Sequence, residues 1–262
     1  MVPLDGAVMR DRCVLVTRPA GQAETLCQLI ESAGGRAIHF PVIDIQPLTA
    51  IDQAESLRAG LSDIDMLIFI SRNAVRCIDV LLPGIFRLCA KKAILAVGAA
   101  TRQALSDNGV VDVLSVETGS GSEALLALAA LQPERISGKK IIIIRGVGGR
   151  ELLAAALRQR GAEVEYLEVY RRLKPNVDPC TLKNIWRVER PNAIVVTSTE
   201  GLQNLVDMTE AADRNTLFNT PLIVISSRLQ TYALSLGFTI SAEIATQACD
   251  EGLMQALINK SR

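Results

Sequence analysis

Six short turns carry side chains that could together grip a small anion. They read Thr17-Arg18-Pro19, Ser71-Arg72-Asn73, Gly98-Ala99-Ala100-Thr101, Arg145-Gly146-Val147-Gly148-Gly149, Thr197-Ser198-Thr199 and Ser226-Ser227-Arg228. Each places a hydroxyl, a glycine or an arginine between an apolar run and a stretch of helical period. Helix starts leave backbone N–H groups unpaired and carry partial positive charge, so such turns, with two matched arginines, form an anion receptor without a high net charge. The serines also have a plainer use as N-caps, above all Ser71 and Ser198. Arg18 and Arg145 have a structural alternative too, bonding a helix end or a neighbouring loop.

Other chemistries lack their residues. His39 is the single histidine, which leaves no imidazole pair and no zinc site. A serine triad would have to rely on His39, and no P-loop lysine, G-x-S-x-G elbow or zinc-protease helix occurs. The turn after the Ile141 to Ile144 run looks like a dinucleotide loop, but the G-x-G-x-x-G pattern needs glycine where Glu151 stands. The six cysteines, at 13, 27, 77, 89, 180 and 249, form no Cys-x-x-Cys pair and read as buried reduced thiols. With 28 basic and 28 acidic residues there is no global field for nucleic acid or an anionic membrane, and 3% aromatics give little for base stacking. Met1 to Arg12 lacks a signal-like apolar core, and no apolar run approaches the roughly 18 to 20 residues that span a bilayer, so the cytoplasm is the expected location.

The elements that carry these turns alternate. Strands are predicted near Cys13 to Val16, Ala37 to Phe40, Met66 to Ile70, Ala93 to Val97, Lys140 to Ile144, Glu163 to Val169, Ala193 to Val196 and Leu222 to Ile225. Helical stripes fall at Ala20 to Ala33 and Gly149 to Arg160. The class is α/β with parallel sheets in two similar domains. The chain is also written twice: Arg18 falls on Arg145 at an offset of 127 (145 − 18), as do Glu24 on Glu151, Gly34 on Gly161 and Ser71 on Ser198, while Glu123 falls on Glu251 at 128 (251 − 123). Two equal halves without a catalytic cluster in either predict a site to which both contribute. Two long extended segments, His39 to Pro47 and Glu165 to Pro175, break the alternation at matching places. Read as crossings near 41–47 and 167–175, they make residues 1–40 with 173–262 one discontinuous domain and 45–166 the other; the alternative is two self-contained halves meeting near Gly138.

Taken together, TRPAGQAETL from Thr17, FISRNAV from Phe69, AVGAATRQAL from Ala96, SEALL from Ser122, RGVGGREL from Arg145, VYRR around Tyr170, VTSTEGL from Val196 and DEGLMQAL from Asp250 resemble the uroporphyrinogen-III synthase family in order and spacing. The resemblance implies a monomer of two domains joined by a two-stranded ladder. It implies cyclisation of hydroxymethylbilane, a linear tetrapyrrole octacarboxylate, to uroporphyrinogen III, with loss of water and inversion of the last ring, in a cleft between the domains and without cofactor or metal. Tyr170 matches the tyrosine proposed to assist departure of the hydroxyl. Ser71, Thr101, Arg145, Gly146, Thr197 and Ser198 match carboxylate-holding positions, and Arg18 is typical of the family. Leu229 departs from the pattern where a hydroxyl is common, so Ser226 and Ser227 are expected to supply that contact. In a strand of period two, Tyr170 would face the substrate while Val169 and Arg171 point away. The competing class is a two-lobed binder of an anionic small molecule.

Overall fold

The computed structural model describes residues 8–49, 51–89, 91–116 and 121–260. Its strands are β1 (Cys13–Val16), β2 (Arg36–His39), β3 (Asp44–Pro47), β4 (Met66–Phe69), β5 (Ala93–Ala96), β6 (Val113–Ser115), β7 (Lys140–Gly146), β8 (Glu163–Leu173), β9 (Ala193–Val195), β10 (Leu222–Val224) and β11 (Glu243–Ile244). The apolar runs became strands because parallel sheets covered on both faces need unbroken apolar sequence. All four residues of β1 (CVLV) and of β4 (MLIF) are buried. β3, β6 and β11 are short or partly exposed, with no such run to announce them.

Two compact units result, one from Met1–Asp44 with Leu173–Arg262 and one from Ile45–Arg172. The chain passes between them within β3 and again at the end of β8. The first unit holds a five-stranded sheet in the order β11-β10-β9-β1-β2, and the second a six-stranded sheet in the order β3-β8-β7-β4-β5-β6. The repeat is visible in the register. Cys13 pairs with Arg36 as Lys140 pairs with Glu163, and Val14 pairs with Ala193 as Ile141 pairs with Met66.

Each sheet is packed by helices whose apolar stripe faces it. In the six-stranded unit, Leu67, Phe69, Ile142 and Ile144 meet Ala74, Val75 and Ile78 of the Arg72–Leu81 helix on one face. On the other face Ile68, Ile141 and Ile143 meet Leu153, Ala154 and Leu157 of the Leu152–Gln159 helix. In the five-stranded unit, Val14, Val16, Val195 and Ile223 meet Leu26 and Ile30 of the Glu24–Ser32 helix and Leu253 and Leu257 of the Asp250–Asn259 helix. That first helix begins at Glu24 rather than at Ala20, because Gly21 adopts a positive φ of 76° that ends the incoming turn.

The six cysteines are free thiols. Cys13, Cys77 and Cys89 are buried, and burial pushes the Cys89 thiol up to about 11. Cys180 is exposed, a difference from the buried reading, because it lies in the surface helix Pro179–Asn184, which follows Pro175 and its extended segment. No described helix is long and apolar enough to cross a membrane.

Candidate active site

At the carboxyl ends of β4, β7 and β8 three of the expected residues meet. Ser71 leaves β4 in extended conformation and caps the Arg72–Leu81 helix, its Oγ accepting the Ala74 N–H at 3.1 Å. The same oxygen lies 3.0 Å from the phenolic oxygen of Tyr170, and Arg172 Nη2 donates to that phenol at 3.5 Å. Gly146 floors the pair. A Cβ at position 146 would stand 2.6 Å from Tyr170 Cζ and 2.7 Å from Cε2, so only glycine lets the ring lie there.

The orientation of Tyr170 corrects the period-two expectation. Arg145 pairs with Glu168 but Gly146 pairs with Tyr170, so Val169 is an extra residue on β8. This bulge shifts the alternation by one and turns Tyr170 to the face of Leu167 and Val169, with which it shares a core cluster; Tyr170 is 1% exposed. Ser71, half-buried, is the outer member of the pair.

The two matched arginines are turned inward, as the structural alternative for them expects. Arg145 is 3% exposed and fully engaged. It donates to Glu151 Oε1 at 3.1 Å, to the Gly146 carbonyl at 3.2 Å and to the Gly148 carbonyl, and its guanidinium lies 4.4 Å over the Tyr166 ring. Tyr166 in turn donates to Glu151 Oε2 at 2.6 Å, and Glu168 accepts the Gly148 N–H at 3.1 Å. The Tyr166 hydrogen bond first, and Arg145 after it, hold the Glu151 carboxyl below the usual glutamate range. Arg18, 7% exposed, pairs with Asp250 at the start of the Asp250–Asn259 helix, while its carbonyl lies 2.9 Å from His39 Nε2. A buried guanidinium needs a carboxylate more than it needs a ligand. The repeat marked Glu151 by its match to Glu24, but not its partner; Tyr166, Glu168 and Asp250 carried no signal of this kind.

The remaining expected donors stand at helix starts. Thr101, 4% exposed, lies in the first turn of the Ala99–Asp107 helix, and Ser198 caps the Thr199–Met208 helix by accepting the Gly201 N–H at 3.0 Å beside half-buried Thr197. Ser226 caps the Ser227–Leu236 helix, accepting the Leu229 N–H at 3.3 Å, while Ser227 is exposed and Leu229 is buried. Ser71, Thr101, Arg145, Gly146 and Tyr170 thus belong to the six-stranded unit, and Arg18, Thr197, Ser198, Ser226 and Ser227 to the five-stranded one.

The fold and site define a class: duplicated parallel α/β units with hydroxyl-capped helix starts at the strand ends. A uroporphyrinogen-III synthase HemD family model matches residues 24–254. The chain is 33% identical over 246 residues to the uroporphyrinogen-III synthase of Escherichia coli, covering 93% of this chain and 99% of that one, and 32% identical over the same shares to that of Salmonella typhimurium. It shares its fold with the Helicobacter pylori uroporphyrinogen-III synthetase at a TM-score of 0.63 and 14% identity, over 95% of this chain and 99% of that one. A mutant Thermus thermophilus uroporphyrinogen III synthase superposes at 0.57 and 20% identity, over 95% and 98%. The chain belongs to the uroporphyrinogen-III synthase family.

Proposed function

We propose that the chain closes hydroxymethylbilane to uroporphyrinogen III, with the Tyr170–Ser71 pair assisting loss of the terminal hydroxyl. The observation that carries the assignment of roles is this pair over Gly146, in a chain of this family. Ser71 Oγ already accepts the Ala74 N–H, and with the phenol donating to its other lone pair it has only its own proton left to give. That proton meets the departing hydroxyl, and the phenol behind it strengthens the donation. Tyr170, at 1% exposure, acts through Ser71 in this arrangement.

The hydroxyl leaves as water, the pyrrole N–H releases the proton that replaces the one lent by the Ser71–Tyr170 pair, an azafulvene remains, and the last ring attacks to give a spiro intermediate that fragments and recloses inverted. Unassisted closure gives the uninverted isomer, so positioning carries much of the catalysis. The substrate's carboxylates are taken by the helix starts at Ser71, Thr101, Ser198 with Thr197, and Ser226 with Ser227. Arg18 and Arg145 brace those turns, and Gly146 keeps the floor under Tyr170. The reading as a binder of an anionic small molecule has no observation in its favour over the enzyme.

Freshly made hydroxymethylbilane incubated with the purified protein should give the type III isomer on separation of the products. Type I alone, at the rate of the protein-free control, would remove the proposal.

A further inference from the structure

In the five-stranded unit, the Thr199–Met208 and Ser227–Leu236 helices flank a groove of about 730 Å³ lined by Thr199, Gln203, Arg228, Thr231 and Tyr232. Tyr232 donates to Gln203 Oε1 at 2.7 Å, and Gln203 Nε2 donates to Asp207 at 2.7 Å. One helix is thereby tied to the other across the groove, with the amide fixed in direction. Both helices follow strands of the sheet, β9 and β10, so both begin at its carboxyl edge.

Arg228 stands two residues after the Ser226 cap and has no carboxylate partner among the described residues. Three other arginines of the same unit have one. Arg18 is taken by Asp250, Arg36 by Glu189 and Arg187 by Asp213. Glu200, on the same rim, has an interaction of its own. The position matching Arg228 in the other half, at an offset of 128 (228 − 100), is Ala100, so the charge is not a copied feature of the scaffold. A cation on a groove whose lining includes Thr199, Thr231 and Tyr232 fits a flat, weakly polar ring that carries an acid arm.

We propose that this groove is a subsite for one carboxylate-bearing pyrrole of the linear tetrapyrrole, with Arg228 as its anion receptor; the inference rests on the function proposed above. Arg228 meets the acid arm and the ring lies along Tyr232. Its role is in binding, so it lowers KM and leaves the chemical step alone.

Steady-state kinetics with hydroxymethylbilane test this. Arg228→Ala should raise KM about tenfold with kcat within about twofold of wild type, and Arg228→Lys should recover part of the loss. The melting temperature should stay within about a degree, since Arg228 is exposed and has no carboxylate partner among the described residues. A KM within about twofold of wild type in Arg228→Ala, with wild type active, overturns the subsite alone. Equal loss in the alanine and lysine variants together with a fallen melting temperature overturns it as well, by showing a structural residue. A wild type that makes no type III isomer removes the proposed function, and this subsite with it.

Discussion

The turn at Arg18 and the turn at Arg145 are copies that have come to differ where it counts. Both arginines are buried and paired, and both turns place a glycine at positive φ three residues on, Gly21 at 76° and Gly148 at 72°. The wiring differs. Glu24 Oε1 accepts the Gly21 N–H at 2.8 Å, whereas the Gly148 N–H goes to Glu168 and leaves Glu151 to Arg145 and Tyr166. At the offset of 127, Gly146 faces Pro19 and Tyr170 faces Ile43 (146 − 19 and 170 − 43). Ile43 is buried close to the Ser198 cap, its Cδ1 3.6 Å from where a Cβ on Gly201 would be. The five-stranded unit thus has the cap and the brace but an aliphatic chain where the other has a phenol. Shared features describe a scaffold, and unshared ones, the Tyr170 and Gly146 pair first among them, describe what was added to it.

The widest gap between the two halves should open with Tyr170→Phe, which keeps the ring and removes the donor. The rate should fall on the order of 10²-fold with near-normal stability, within the span of a positioned acid; Ile43→Val in the matched place should leave turnover within about twofold while costing about 1 kcal/mol. A Tyr170→Phe rate within about twofold of wild type would show that the phenol does no proton work. Next comes Gly146→Ala, whose Cβ would collide with the Tyr170 ring. It should cost about 1–3 kcal/mol by denaturant unfolding and also slow turnover, while Pro19→Ala should touch stability only.

Ser71→Ala and Ser198→Ala form a matched pair, each losing an N-cap worth about 1 kcal/mol. Their melting temperatures should fall together, but Ser71→Ala should lose at least about tenfold more in kcat; equal rates would return Ser71 to the status of a plain cap. The smallest effect is in pH. Glu151's folded pKa is depressed, so its contribution to stability is present above the unfolded value of about 4.3 and is lost as pH falls through the lower folded value. Wild type and Glu151→Gln should therefore differ by a constant melting-temperature gap near neutrality that narrows in acid, while Glu24→Gln should show a similar narrowing, since backbone N–H groups, that of Glu24 first, lower its pKa as well. A gap that widens toward low pH would refute the sign.

Much of this fold was written in the sequence in a form periodicity can read. Runs such as Ile141 to Ile144 had to be central parallel strands, and the doubled pattern required two similar sheets. β6 and β11 escaped because three and two residues, only partly buried, make no pattern. The phase of β8 escaped for a different reason. EVEYLEVYRRL breaks its alternation twice, at Tyr166-Leu167 and at Val169-Tyr170, and only the pairing of Gly146 with Tyr170 shows which break is an extra residue. Ser71, Gly146 and Tyr170 were legible as site candidates through the turns and the family resemblance. The inward turn of Arg18 and Arg145 was not, because an arginine repeated at a helix start reads the same whether a ligand or the protein's own carboxylate answers it.

β1 lies between β2 and β9, and its partner Ala193 follows Val14 by 179 residues (193 − 14). On a ribosome adding about 5–20 residues per second, β1 and β2 emerge and then wait on the order of ten seconds or more for that partner. Meanwhile the Ile45–Arg172 segment carries β4 to β7 in one stretch and can close first. For that interval the edge of β1 presents unpaired N–H and C=O groups on an apolar strand, the kind of edge that recruits stray strands. Nascent chains of this protein should therefore depend on chaperones most while the middle of the sequence is being made.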